Sequence, residues 1–340
     1  MTSNEINRLP RISIVIATRD RAKDLVELLI SLLNQNYSPF EIIIIDDSSS
    51  YLTKEVIASF DSMFEKINCS LKYFKGRDNG LPAARNLGIK NAEGDAILFL
   101  DDDTLLGRSI VRSLAMFFRD NSIALGIQPQ RIYPSDYYGR TYGLIKKLRN
   151  AIRKVLMLDS YEKNKLQVRI SGSSIFPYQL TKVISAQRID GCCFCIRREV
   201  FNEFSFDSNL KRWGFMEDLD FSYRIYKKYP KSLYAIPYAK FIHKHSDEAR
   251  LPTKSRIYMM TIYWFYIFFK DIFDSSIINL IAFLWALIGN LLGNIGDIII
   301  KRKERYEWWF IIYLLGSYVT AFRNLKNIRS QKLEFFNKNL

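Results

Sequence analysis

Short β-branched and aliphatic runs alternate with segments in which leucine recurs at helical spacing, and this alternation organises residues 11–101. Ile12-Ser13-Ile14-Val15-Ile16-Ala17 follows Pro10 and predicts a strand, while Leu25, Leu28, Leu29, Leu32 and Leu33 mark one face of a helix. A second strand is predicted over 41–46, a helix near 52–60, a strand near 70–75, a helix near 81–90, and a strand from Ala96 that ends at Asp101. Strands alternating with helices predict an α/β fold with an open, mostly parallel sheet flanked by helices. From about Tyr133 to Gln187 the pattern breaks down into Tyr-, Lys- and Arg-rich sequence, which predicts an insertion of the kind that often forms a lid beside a site. Regularity returns over Arg188 to Ile196, and a helix is predicted to open at Met216-Glu217-Asp218. Acids in a first turn also suit a helix dipole.

Two of the predicted strands end in acids. Asp101, Asp102 and Asp103 close the run Ala96-Ile97-Leu98-Phe99-Leu100, and Asp46-Asp47 close Ile42-Ile43-Ile44-Ile45. Adjacent carboxylates repel one another unless a cation or abundant water separates them, and carboxylate oxygen is a hard ligand. In an open α/β sheet, ligands bind beyond the carboxyl ends of the strands. The two acidic tips therefore imply one polar site.

The chain has 340 residues, is 48% hydrophobic and carries a formal net charge of +15. That length and apolar content suit one large core or two moderate ones and exclude disorder. Basic residues appear throughout, and their excess points to an anionic surface or a phosphate-bearing ligand. Four cysteines, Cys69, Cys192, Cys193 and Cys195, lack a second cluster to complete a zinc site, and the Cys192-Cys193-Phe194-Cys195 run reads as small apolar filling in a strand. No secretory signal precedes the first strand, so the catalytic part is expected in a reducing cytoplasm.

Taken together the motifs resemble the family 2 glycosyltransferases, inverting enzymes of GT-A fold that use a nucleotide diphosphate sugar. The resemblance covers roughly residues 11–245 and rests on five segments in order. They are Ile14-Val15-Ile16-Ala17-Thr18-Arg19, Ile45-Asp46-Asp47-Ser48-Ser49, Gly80-Leu81-Pro82-Ala83-Ala84-Arg85-Asn86-Leu87-Gly88, Phe99-Leu100-Asp101-Asp102-Asp103 and Trp213-Gly214-Phe215-Met216-Glu217-Asp218-Leu219-Asp220. Ala17 stands where the family often has Pro, and Ser48-Ser49 where it has a Gly-Ser turn.

The resemblance implies that Asp103 holds Mg2+ or Mn2+ while Asp101 or Asp102 meets the donor's ribose. It implies further that Asp47 reads the nucleobase, most often uracil, with Thr18, Arg19 and Arg85 around the same pocket. Arg85 reads equally as a helix-surface charge, and Thr18 as a strand-end hydroxyl bound to backbone. Asp218 is implied as the general base that takes the acceptor's proton, with Glu217 positioning the acceptor or bracing the helix start. Arg224 is a candidate brace for the acids. The chain's two histidines, His243 and His245, would share one face of a strand, and the family often supplies a late His as a metal ligand.

Residues 1–250 thus read as a GT-A catalytic domain, with 133–187 inserted near the acceptor site, and 251–340 as a helical, apolar and basic membrane-associated region. Residues 275–296 carry no charge and approach the length of a bilayer-spanning helix, with shorter uncharged runs at Ile257–Phe269 and Trp308–Phe322. A single crossing would leave Lys301, Arg302, Lys303 and Arg305 on the wrong side for the positive-inside rule, whereas interfacial or re-entrant helices keep them on one side. A chain ending near Arg250 should then be the more soluble.

The expected function is transfer of a sugar from a UDP- or dTDP-linked donor to a glycan or lipid-linked acceptor at the cytoplasmic membrane face. A soluble oligomerisation region is the alternative for the C-terminal third. A sugar nucleotidyltransferase should show a Gly-rich loop after the first strand, where Thr18-Arg19-Asp20-Arg21 has none. A degenerate membrane scaffold would not need Asp103, Asp218 and His243, and no nucleic-acid module accompanies the basic residues.

Overall fold

The computed structural model describes residues 9–37, 41–132, 143–246, 252–299 and 308–338. The predicted alternation is present as β1 (Ile12–Thr18), α1 (Ala22–Leu33), β2 (Glu41–Asp46), α2 (Leu52–Glu65), β3 (Ser70–Lys75), α3 (Leu81–Asn91) and β4 (Ala96–Asp101). β5 (Thr104–Leu106), α4 (Ile110–Asp120) and β6 (Gly126–Ile132) follow. Next come α5 (Gly143–Val155) and three short strands, β7 (Ser160–Lys163), β8 (Gln167–Val168) and β9 (Ser174–Gln179). β10 (Ile184–Ala186), β11 (Cys193–Arg197), α6 (Glu217–Lys228) and β12 (Leu233–His243) return to the main sheet. The remainder is helical: α7 (Thr253–Ile267), α8 (Ile277–Ile299), α9 (Trp309–Arg323), α10 (Leu325–Arg329) and α11 (Glu334–Asn337).

The chain divides into two compact units, the described residues of Met1–Tyr137 with Gln179–Ala249, and those of Tyr138–Tyr178 with Arg250–Leu340. The first contains a nine-stranded sheet of order β10-β12-β6-β11-β4-β1-β2-β3, with β5 paired to β12. It is mostly parallel: β1, β2, β3, β4, β6 and β12 run one way, and β5, β10 and β11 run against them. From β1 the chain winds outward to β2 and β3, then returns to place β4 on the other side. Such a reversal opens a crevice at the carboxyl ends of the strands. The register fixes what lines it, because Thr18 pairs with Asp46 and Ala17 with Asp101.

Both faces of this sheet are covered, which is why β2 and β4 read as unbroken apolar runs. On one face Ile14, Ile16, Ile42, Ile44 and Leu98 pack with Leu25, Leu28 and Leu32 of α1 and Leu114 and Phe118 of α4. Each such side chain contributes about 1.5–3 kcal/mol on burial. The other face holds stacked rings, with Phe99 4.9 Å from Phe194 and Phe206 4.3 Å from Phe221. Here α3 lies so close to β1 that a Cβ at Gly88 would come within 2.3 Å of Val15 Cγ1.

Residues 143–179 are more regular than their composition predicts, whereas 133–142 lie outside the described residues. The strands there have two to six residues and α5 is rich in Lys and Arg, so neither leaves a long apolar period. β7, β9 and β8 form a separate three-stranded sheet. β10, though it falls inside the expected insertion, pairs with β12 in the main sheet.

In the second unit α7 is the core helix: Met259, Ile262, Tyr263, Phe265 and Tyr266 are fully buried. The apolar run from Ile257 therefore faces protein. Phe283 of α8 stacks on Phe268 at 4.0 Å and meets Phe265 edge-on at 4.9 Å. Among the described residues one helix, α8, is long and apolar enough to cross a membrane by length and composition. Lys301, Arg302, Lys303 and Arg305 lie outside the described residues.

Candidate active site

The turn from β4 to β5 carries the three aspartates and sorts them. β5 pairs antiparallel with the end of β12, setting His243 opposite Thr104. His243 Nε2 lies 2.9 Å from Asp103 Oδ1 and 3.8 Å from Asp101 Oδ2, and a ligand atom from each of the three falls within 4.8 Å of the others. Burial raises the Asp103 carboxyl, but the hydrogen bond and charge of His243 outweigh it and hold the group at about 2. Burial opposes charge on His243, yet Asp103 and Asp101 raise it above its ordinary value. Burial also raises Asp101, against Arg85 and His243. Two carboxylates and an imidazole form a donor set that suits a divalent cation of the Mg2+ or Mn2+ kind. The buried His243 Nδ1 has no hydrogen-bond partner, and it is Nε2 that faces the two carboxylates.

Asp102 points the other way. Its Oδ2 accepts a hydrogen bond from Thr18 Oγ1 at 2.8 Å and its Oδ1 one from Arg21 at 3.1 Å. Burial pushes it up to about 7, against the pull of Arg21. Thr18 and Asp102 thus lock the end of β1 to the end of β4.

His245 does not share a strand face with His243. The Lys244 N–H donates to the Asp103 carbonyl at 3.0 Å and the Ser246 N–H to Asp103 Oδ2 at 2.9 Å, so the strand stops and His245 turns to a φ of 58°. Its ring stays 4.3 Å from that of His243 and meets the Arg131 side chain, outside the cluster.

At the ends of β1 and β2 the charges form a second group. Arg19 pairs with Asp78, Arg212 lies 3.4 Å from the same carboxylate, and Asp47 Oδ1 accepts the Asp78 N–H at 2.9 Å. Burial raises Asp47, and the Asp78 N–H and the Arg19 charge oppose the rise. Asp46 is committed elsewhere, accepting from Ser48 N–H at 2.8 Å and the Tyr73 hydroxyl at 3.0 Å.

Arg85 is buried, so it is not a helix-surface charge. Its guanidinium pairs with Glu217, donates to Asp101 Oδ1 at 3.0 Å and to the Gly191 carbonyl at 2.7 Å. It lies 5.3 Å from the Phe194 ring. Glu217 and Asp218 open α6 behind Met216, which adopts a left-handed φ of 66°. Burial pushes Glu217 up to about 8 although Arg85 opposes it, and its Oε2 is buried without a hydrogen bond. Asp218 Oδ2 accepts from Arg188 at 2.6 Å and from the Gly191 N–H at 2.8 Å, and Oδ1 from the Leu219 N–H at 2.7 Å. Arg224 pairs with Asp220 at 2.7 Å, not with Glu217 or Asp218.

Arg21, Asp78, Arg188 and Asp190 were not singled out from the sequence. Asp190 lies 3.6 Å from Arg131 and takes Gln128 Oε1 on its N–H at 2.7 Å. None of them lies at a repeated spacing, and only the meeting of distant segments reveals its place.

A cation-type acid cluster at the crevice of an open parallel sheet, joined through one buried arginine to acids at a helix start, defines an α/β enzyme of GT-A-type fold. Solved structures agree on the fold: GalNAc-T7 with UDP, GalNAc and Mn2+ aligns at TM-score 0.55 and 17% identity, covering 83% of this chain and 55% of that one. The mannosyltransferase PcManGT from Pyrobaculum calidifontis, in complex with GDP-Man and Mn2+, aligns at TM-score 0.54 and 15% identity over 93% and 88% of the two chains. The profile described as Glycosyl transferase family 2 matches residues 13–205, and the chain belongs to that family. An uncharacterized glycosyltransferase of Rickettsia conorii is 38% identical over 112 residues, 33% of this chain and 18% of the relative, so the match spans less than a fifth of that relative's length.

Proposed function

We propose that the protein is an inverting glycosyltransferase that moves a sugar from a nucleoside diphosphate to a hydroxyl of a glycan or lipid-linked acceptor. The observation that carries this reading is the gathering of Asp101, Asp103 and His243 at the strand ends, with Arg85 joining Asp101 to Glu217 beside Asp218. In this reading Asp47 and Arg19 meet the nucleobase, Asp101 the ribose or the ion, and Thr18 and Asp102 fix the wall between them. A divalent ion held by Asp103 and His243, with Asp101 beside them, would supply positive charge to the departing diphosphate.

Asp218 is the base. Its Oδ2 is committed to Arg188 and Gly191, which hold the carboxylate in place, and Oδ1 keeps a lone pair for the acceptor's proton. The acceptor oxygen bonds to the anomeric carbon as the carbon–oxygen bond to the diphosphate breaks, so the configuration inverts in one displacement. Arg85, shared between Glu217 and Asp101, offsets charge at the acid groups.

Two fold neighbours were solved with Mn2+ and different donors' nucleotides, UDP and GDP-Man, which supports a metal and argues for a broad donor panel. Mass spectrometry of the protein with Mn2+ and UDP-, dTDP- and GDP-sugars is the test, followed by NMR of the product anomer. We expect a UDP- or dTDP-sugar to be consumed with inversion. A retained anomer would sink the single displacement, and an inert panel would sink the transferase reading.

We place the enzyme at the cytoplasmic face of the cell membrane, held through the C-terminal helices. Support comes from α8 and from the exposed Trp308, Trp309, Ile312 and Leu315 around the start of α9.

A further inference from the structure

We propose that α5 is a membrane-surface helix whose stripe of Leu148, Ile152 and Val155 inserts among anionic lipid headgroups. The inference rests on the membrane attachment proposed above and extends it to a segment outside the C-terminal helices. Leu148, Ile152 and Val155 recur at i, i+4 and i+7 and are 62%, 49% and 69% exposed, so one face of α5 presents large aliphatic side chains to solvent. Other positions of the segment are fixed. Asn150 exchanges two hydrogen bonds with the Tyr161 backbone at 2.7 Å each, Arg153 donates to the Asp159 carbonyl at 2.6 Å, and Leu156 packs where a Cβ on Gly289 would come within 2.6 Å. These contacts leave the stripe no rotation that would bury it.

The apolar face continues onto α8. The Trp285 indole N–H donates to the Val155 carbonyl at 2.8 Å, while Trp285 remains 44% exposed, in line with exposed Ile281 and Ile288. An indole beside aliphatic groups suits the interfacial layer of a bilayer. With 13 residues α5 is too short to span the bilayer core, for which about 20 are needed, and lies in the surface plane.

Charge chooses the occupant. In sequence the second unit holds 22 Lys and Arg against 8 Asp and Glu, and the first unit 28 against 27. Nearly all of the net charge of +15 therefore belongs to the unit that exposes these helices, with the exposed Lys147 beside the stripe itself. Two copies meeting through this face would bring like charges together, whereas anionic headgroups neutralise them.

The full chain and its L148E/I152E variant should be floated with phosphatidylcholine vesicles, with and without phosphatidylglycerol. We expect the unaltered protein to float with the anionic vesicles, and the variant to lose affinity by on the order of tenfold or more with an unchanged thermal midpoint and unchanged UDP binding in Mn2+. The milder L148A/I152A variant should fall between them. Equal flotation of all three would overturn the role of α5 while leaving attachment through α8 and α9 standing. Failure of the unaltered protein to float would overturn both. Loss of a dimer in the variant, with no flotation of either protein, would assign the stripe to self-association and end the proposal.

Discussion

Arg85 sets the chemistry of its neighbours more than any other side chain at the centre, because one guanidinium serves Glu217, Asp101 and a backbone carbonyl without access to water. Even so, burial leaves Glu217 at about 8, far above the ordinary 4.5. The folded protein thus keeps a proton that the unfolded chain releases, and stability falls as pH rises from the lower value through the higher one. Glu217→Gln cannot release that proton. Urea midpoints should therefore drop less for the variant than for the unaltered protein between about pH 5 and about pH 9, and parallel slopes would refute the assignment. Asp218→Asn should leave donor affinity nearly intact while lowering turnover by on the order of 10² or more, the usual cost of removing a positioned base. A fall in donor affinity alone would move Asp218 to the nucleotide side. For Asp103→Ala, calorimetry should show Mn2+-dependent UDP binding lost, because the diphosphate loses its counter-charge. Undiminished binding would rule Asp103 out as the ligand.

At the scale of elements, close approach of α3 to β1 carries Arg85 to the centre. Gly88→Ala would drive a Cβ to within 2.3 Å of Val15 Cγ1, and thermal or urea unfolding should show a loss of about 1–3 kcal/mol, as overpacking costs. A neutral effect would mean that α3 can slide. The elements around this contact were readable because parallel strands buried on both faces need unbroken apolar runs, as Ile42 to Ile45 show. The acidic strand ends were readable for the same reason: Asp101 to Asp103 interrupt apolar sequence abruptly. Their division of labour was not. The turn between β4 and β5 sends Asp101 and Asp103 to His243 and Asp102 to Thr18, and a triple aspartate gives no clue to that division. The histidine spacing misled for the converse reason, since hydrogen bonds from Lys244 and Ser246 to Asp103 end the strand before His245. Arg188 was hidden because its partner Asp218 lies 30 residues away.

At the scale of the whole molecule, the sequence suggested a cut near Arg250, yet the second unit draws on both sides of that point. Leu156 packs at Gly289 of α8, Trp264 of α7 donates to the Ser171 carbonyl at 3.1 Å, and Arg149 pairs with Asp297. Residues 143–178 cannot keep these contacts once 250–340 are gone, and buried Leu158, Leu166 and Ile175 would lose the unit they belong to. A chain ending at Arg250 is therefore expected to aggregate, contrary to the gain in solubility that composition alone implies. Replacing 138–178 with a short Gly–Ser linker in the same truncation removes both halves of the second unit and most of the excess positive charge. This doubly shortened chain should elute as a soluble monomer and bind UDP in Mn2+, because Asp47, Asp101, Asp103 and His243 all belong to the first unit. Size exclusion and calorimetry on the two chains decide the matter: a soluble Arg250 truncation would show that residues 138–178 fold without the C-terminal helices, and an insoluble double deletion would show that the first unit depends on the second.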